Sequence, residues 1–258
     1  MYCKKRSRLM IPPTLDFLSA KISLCNREEL KEFLIQTLYD KDRFRIILVD
    51  EKMMFSLLFN KELQGIVRST EIVLCSSQTV AWMVKVLTGY AVPIIMPVTI
   101  FLDLMRIADE MGYTVFLFGG SKAISQETLK RMKKSFPQAR IVGYYRSNVK
   151  QKELQDVLIT IRKSSPQIFI ASYKSGPKQE KWLTKNMQYF QNSIVVGVGD
   201  SFNVIAGRKK MPPMWFQKRG WNGFYHFLVQ PYNIFRIFRL IVLFSVAIYT
   251  RIKYGIKR

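Results

Sequence analysis

Two short apolar runs, Ile168-Phe-Ile-Ala171 and Ile194-Val-Val-Gly-Val198, each pass directly into a loop of glycines and polar residues. Runs of this length without polar alternation are the mark of strands buried on both faces, which requires a parallel sheet covered by helices. In an open α/β sheet, ligands bind at the carboxyl ends of the strands. Here the first run leads into Ser172-Tyr-Lys-Ser-Gly-Pro-Lys-Gln-Glu180, and the second ends at Gly199. Gly176, Gly197 and Gly199 let backbone N–H groups approach a ligand closely, while Lys178 and Gln179 supply a charge and an amide. That combination suits a diphosphate or a sugar, and so a nucleotide-type donor.

The remaining pattern agrees with such a sheet. Residues 1 to about 20 read as a basic arm and a lead-in loop. Asn26, with Glu29 three residues later, caps a helix carrying Leu30, Phe33, Leu34 and Leu38 at helical spacing. Strands are predicted at Phe44–Val49, Thr70–Leu74, Thr114–Gly120 and Pro137–Tyr145, separated by segments long enough for helices, one of them Lys152–Lys163. The expected fold class is α/β, a Rossmann-like, mostly parallel sheet flanked by helices.

Charge narrows the partner. The 258 residues carry 41 Lys and Arg against 18 Asp and Glu, a net charge of +23, so the partner is anionic. After Asp200 there is no acidic residue, whereas eleven Lys and Arg are interleaved with Phe224, Tyr225, Phe235, Phe238 and the run Leu240–Tyr249. So dense an aliphatic stripe argues against a nucleic-acid face and for an amphipathic segment on an anionic membrane surface. The run is shorter than the roughly 20 residues a spanning helix needs. The chain therefore divides into a core, 1–207, and a basic C-terminal appendage, 208–258. No signal peptide is read at the N-terminus. Cys3, Cys25 and Cys75 are too few and too scattered for disulfides or a metal cluster, and indicate reduced thiols in the cytosol.

Several motifs in order carry a resemblance. Gly176-Pro-Lys-Gln-Glu180 is followed by Trp182, then Gly197-Val-Gly199, then Phe202-Asn-Val-Ile-Ala-Gly207 with Pro213 and Trp215. This series resembles the bacterial WecG/TagA/CpsF glycosyltransferase family, continuously from Phe44 to about Arg239. The resemblance implies an inverting, metal-independent transferase with no cofactor. It would move N-acetylmannosamine or a related hexose from a UDP-sugar donor to a sugar on an undecaprenyl-diphosphate-linked acceptor, peripherally at the inner face of the bacterial cell membrane. A homo-oligomer is compatible with it. The binding residues it implies are Thr99, Gly119, Gly120, Gly176, Lys178, Gln179, Glu180, Gly197, Gly199, Arg208, Arg236 and Arg239, with no metal ligands.

The catalytic positions depart from the family. Where it has Asp-Gly-x-Gly-Val-Val-Trp, this chain has Ser76-Ser-Gln-Thr-Val-Ala-Trp82, so Ser76 stands at the position of the family's general base. A serine is no base by itself. Asp50 aligns with a family Asn, Pro97-Val-Thr99 with Gly-x-Asp, and Gly199-Asp-Ser-Phe-Asn203 with Gly-Gly-Ala-Phe-Asp. Either Asp50, Asp103 or Asp200 has taken over the proton, or the chain is a catalytically degenerate paralogue that binds a nucleotide-sugar or lipid-linked glycan, or scaffolds a polysaccharide assembly complex.

Overall fold

The computed structural model describes residues 12–209 and 234–254. The chain begins with a hairpin, β1 (Thr14–Phe17) antiparallel to β2 (Ala20–Ser23), where a loop was expected. Its two-residue turn places Leu18 and Ser19 at φ 42° and 70°, a conformation normally signalled by Asn-Gly. Burial of Phe17, Ala20 and Ile22 holds the hairpin down, and the Val73 N–H donates to Ser23 Oγ at 3.2 Å. Helix α1 (Arg27–Asp40) starts with the anticipated capping box. Asn26 Oδ1 accepts from Glu28 N and Glu29 N, and Glu29 Oε2 from Asn26 N.

The core then alternates strand and helix. In chain order it runs β3 (Phe44–Val49), α2 (Glu51–Phe59), α3 (Lys61–Arg68), β4 (Ile72–Cys75), α4 (Gln78–Thr88), α5 (Pro97–Met111) and β5 (Thr114–Gly119). It continues α6 (Lys122–Ser135), β6 (Arg140–Tyr145), α7 (Gln151–Ser164), β7 (Ile168–Ser172), α8 (Gly176–Lys185), a 3-10 turn at Met187–Tyr189, β8 (Ile194–Gly197) and α9 (Ser201–Ile205). The six core strands form one parallel sheet in the order β4-β3-β8-β7-β5-β6.

The unbroken apolar runs have the expected cause. Ile46, Leu48, Ile170 and Val196 pack on one face against α1, α5, α6 and α9. Their sequence neighbours Ile47 and Val49 pack on the other face against α2, α3 and α4, and Phe169 and Val195 against α7 and α8. With a period of two and both faces covered, the central strands are apolar at nearly every position, with Arg45 of β3 an exception. The helices after β3 and β7 thus lie on one face, while α9, after the intervening β8, lies on the other. Such a reversal opens a crevice at the strand ends.

Helix α10 (Ile234–Tyr254) packs back onto this core. Leu243 and Ala247 are buried among residues of α2 and α4, with Phe238 beside Phe55 and Phe244 edge-on to Trp82 at 5.2 Å between ring centroids. No described helix is long and apolar enough to cross a membrane. The basic start of the N-terminal arm, Pro213, Trp215, Phe224 and Tyr225 lie outside the described residues.

Candidate functional site

The crevice is a cleft of about 810 Å³ at the carboxyl ends of β3, β4, β7 and β8. The register that pairs Val49 with Cys75, and the Ser76 N–H donated to Val49 O at 3.0 Å, set Asp50 and Ser76 at adjacent strand ends. Both line the cleft, with Gly176, Gln179, Gly197, Gly199, Asp200 and Arg208 from the sequence-derived set. Lys52, Lys174, Asn203 and Lys209 join them. Four cations thus face two carboxylates, a balance that favours an anionic ligand.

The carboxylates differ in how much of each is committed. Asp50 is the N-cap of α2, its Oδ1 accepting from Met53 N at 2.8 Å. Burial pushes its carboxyl above the ordinary range and the neighbouring Glu51 adds to this, against the cap hydrogen bond and Lys52. Asp200 has both oxygens engaged, by the Asn203 side-chain amide and by Lys209 Nζ at 3.1 Å. Asp103 is not among the residues that line the cleft. It is buried on α5 in a forked pair with Arg27, at 2.6 and 2.8 Å, so it ties α1 to α5 and is no candidate base. The one Asp-x-Asp spacing in the sequence, Asp40-Lys-Asp42, is exposed just before β3, at the opposite end of the strands.

Behind the cleft floor lies an ionic relay that sequence reasoning missed. Arg45, buried in β3, donates from Nη2 to Glu180 Oε2 at 2.9 Å and to Glu180 O at 2.8 Å, and from Nη1 to Thr184 Oγ1 at 2.6 Å. Glu180 Oε1 accepts from Gln179 Nε2 at 2.8 Å, which leaves Gln179 Oε1 to accept from Tyr173 N and Gly199 N, each at 3.1 Å. Burial raises the Glu180 carboxyl, while the Arg45 charge and the hydrogen bonds from Gln179 and Arg45 oppose that. Gly197 makes room for the relay, because a Cβ there would lie 1.9 Å from Gln179 Nε2. The signal that could have found it is a guanidinium inside an otherwise apolar strand, which cannot stay buried unpaired.

Gln179 therefore lines the cleft with an amide already committed to the backbone of two loops, and Glu180 is sealed beneath it. Lys178 is exposed on α8 outside the cleft lining. Gly119 and Gly120 also lie outside that lining and have packing reasons of their own. A Cβ on Gly119 would strike Ser172 O at 2.4 Å, and Gly120 turns the chain into α6 at φ 65°. Thr99 lies in the first turn of α5, with Pro97 alone of that segment reaching the cleft. Arg239 lines an adjoining pocket, and the side chain of Arg236 lies outside the described residues.

The sequence matches the Glycosyl transferase WecG/TagA/CpsF family over residues 15–257. It is 29% identical over 188 residues, 72% of this chain and 71% of the relative, to a Bacillus spizizenii protein named N-acetylglucosaminyldiphosphoundecaprenol N-acetyl-beta-D-mannosaminyltransferase. A Bacillus subtilis protein of the same name is 23% identical over 186 residues, 72% of this chain and 71% of its own.

Proposed function

The chain belongs to the WecG/TagA/CpsF glycosyltransferase family, and from that premise we infer that it moves an N-acetylhexosamine, N-acetylmannosamine or a close relative, from a UDP donor to an undecaprenyl-diphosphate-linked acceptor sugar. The transfer inverts the anomeric centre and needs no metal. The observation that carries the reading is Asp50, a half-buried carboxylate with one oxygen uncommitted to its cap, set among cations at the strand end beside Ser76.

In this reading Asp50 takes the proton from the acceptor hydroxyl as its oxygen bonds to the anomeric carbon. The bond to the UDP oxygen breaks on the opposite side. Negative charge then grows on the leaving diphosphate, where Arg208 and Lys209 supply charge-assisted donors. A burial-raised carboxyl is the stronger base for this purpose, since its conjugate acid lies closer to the working pH. The base has thus shifted from the family's position at Ser76 to the strand end paired with it.

The test is UDP release by purified protein with a panel of UDP-sugars and a short-chain polyprenyl-diphosphate-linked N-acetylglucosamine acceptor. Asp50→Asn should lower acceptor-dependent release by about 10² to 10⁴, the usual contribution of a positioned base. Unchanged turnover in that variant would remove Asp50 from the mechanism. Donor binding without turnover on any acceptor would instead support the degenerate paralogue that the serine at position 76 suggests.

A further inference from the structure

Beside the main cleft, and sharing Lys52, Lys174 and Gly176 with it, is a second pocket of about 420 Å³ between α2, the β7–α8 loop and α10. Its own walls are Phe55, Ser56 and Ser175, with Phe238 and Arg239 from α10. Three cations line it and no carboxylate does, so it selects an anion. The Arg239 Nε is buried and has no hydrogen-bond partner among the described residues, a cost that a bound anion would relieve. One wall is apolar: the Phe55 and Phe238 rings meet edge to face at 6.5 Å. Phe238 continues onto an exposed α10 face carrying Ile241, Ile248 and Ile252. A nucleotide's base would use the rings but not the apolar face beyond them, whereas an anion joined to a hydrocarbon chain uses both.

Resting on the transferase reading above, we propose that this side pocket holds the diphosphate and first isoprene units of the lipid-linked acceptor, while the main cleft holds the donor. Arg239, with Lys52 and Lys174, grips the diphosphate. Phe55 and Phe238 pack against the first isoprenes as the chain leaves along α10. Because the two pockets meet at Lys52, Lys174 and Gly176, the acceptor sugar reaches toward Asp50 from this side.

Farnesyl diphosphate, inorganic diphosphate, farnesol and UDP serve as probes in titration calorimetry on the full chain, with Ser56→Trp to fill the pocket and Arg239→Gln to remove its charge. Both variants should weaken farnesyl diphosphate at least 10-fold while UDP affinity stays within twofold, and the wild type should bind farnesyl diphosphate more tightly than inorganic diphosphate or farnesol. Unchanged farnesyl diphosphate affinity in both variants, or equal affinity for inorganic diphosphate, overturns the assignment. Loss of UDP affinity in Arg239→Gln with farnesyl diphosphate unaffected would return the pocket to the donor. If the wild type binds no UDP yet farnesyl diphosphate binding shows the expected losses, the donor reading fails and the lipid subsite stands.

Discussion

Asp50 does two jobs that separate cleanly at the residue scale. As N-cap it needs only an oxygen to accept from Met53 N, and Asn provides one as well as Asp does. As base it needs charge. Because burial raises its folded-state pKa, kcat/KM should climb with pH along a limb lying above the ordinary carboxylate range, and Asp50→Asn should abolish that limb. Stability runs the other way. A raised carboxyl stabilises the folded state fully below its unfolded pKa and loses that contribution as pH rises through the folded pKa. At neutral pH the Asn variant should therefore match or exceed the wild type in urea midpoint, and a marked fall in that midpoint would show that the lost activity is a folding defect. Little of this was legible in the sequence. An acid after an apolar strand is usually a helix cap, as Asp50 also is, and only the register between β3 and β4 sets it beside Ser76.

The elements that shape the cleft are joined by the Arg45–Glu180–Gln179 relay, which fastens β3 and α8 to the loops after β7 and β8. Arg45→Met leaves the buried Glu180 carboxyl without its partner and should cost about 3–5 kcal/mol in urea unfolding. The paired change Arg45→Met with Glu180→Met should recover most of that, because apolar residues of similar volume often replace a buried ion pair without loss. A double variant as unstable as the single would mean that the relay is not coupled as its geometry indicates. The strands themselves were legible: Ile168–Ala171 and Ile194–Val198 are apolar throughout because both sheet faces are covered. Long-range pairing was not. Gln179 looks like a ligand-binding amide in sequence, and only the fold shows its oxygen committed to Tyr173 N and Gly199 N. The β1–β2 hairpin was hidden for a local reason, since Leu18-Ser19 carries none of the usual turn residues.

For the whole molecule, α10 decides how the core meets its surroundings. The sequence showed a basic, apolar C-terminal stretch but could not show which side of it the core occupies. Leu243 and Ala247 face inward, whereas Phe238, Ile241, Ser245, Ile248 and Ile252 recur at helical spacing on the exposed side. Trp82, Val86 and Tyr90, on and just after the neighbouring α4, are exposed as well. An apolar surface of this kind on a chain of net charge +23 suits partial insertion into an anionic bilayer surface. The two sides of the helix predict opposite outcomes. Ile241→Asp with Ile248→Asp should release the protein from phosphatidylglycerol-containing liposomes, leaving its melting temperature nearly unchanged, because neither side chain supports the core. Leu243→Asp should lower the melting temperature sharply, since it forces a charge into a site where an apolar side chain contributes about 1.5–3 kcal/mol. Liposome binding that survives the outer pair of changes would mean that this face is not what meets the lipid.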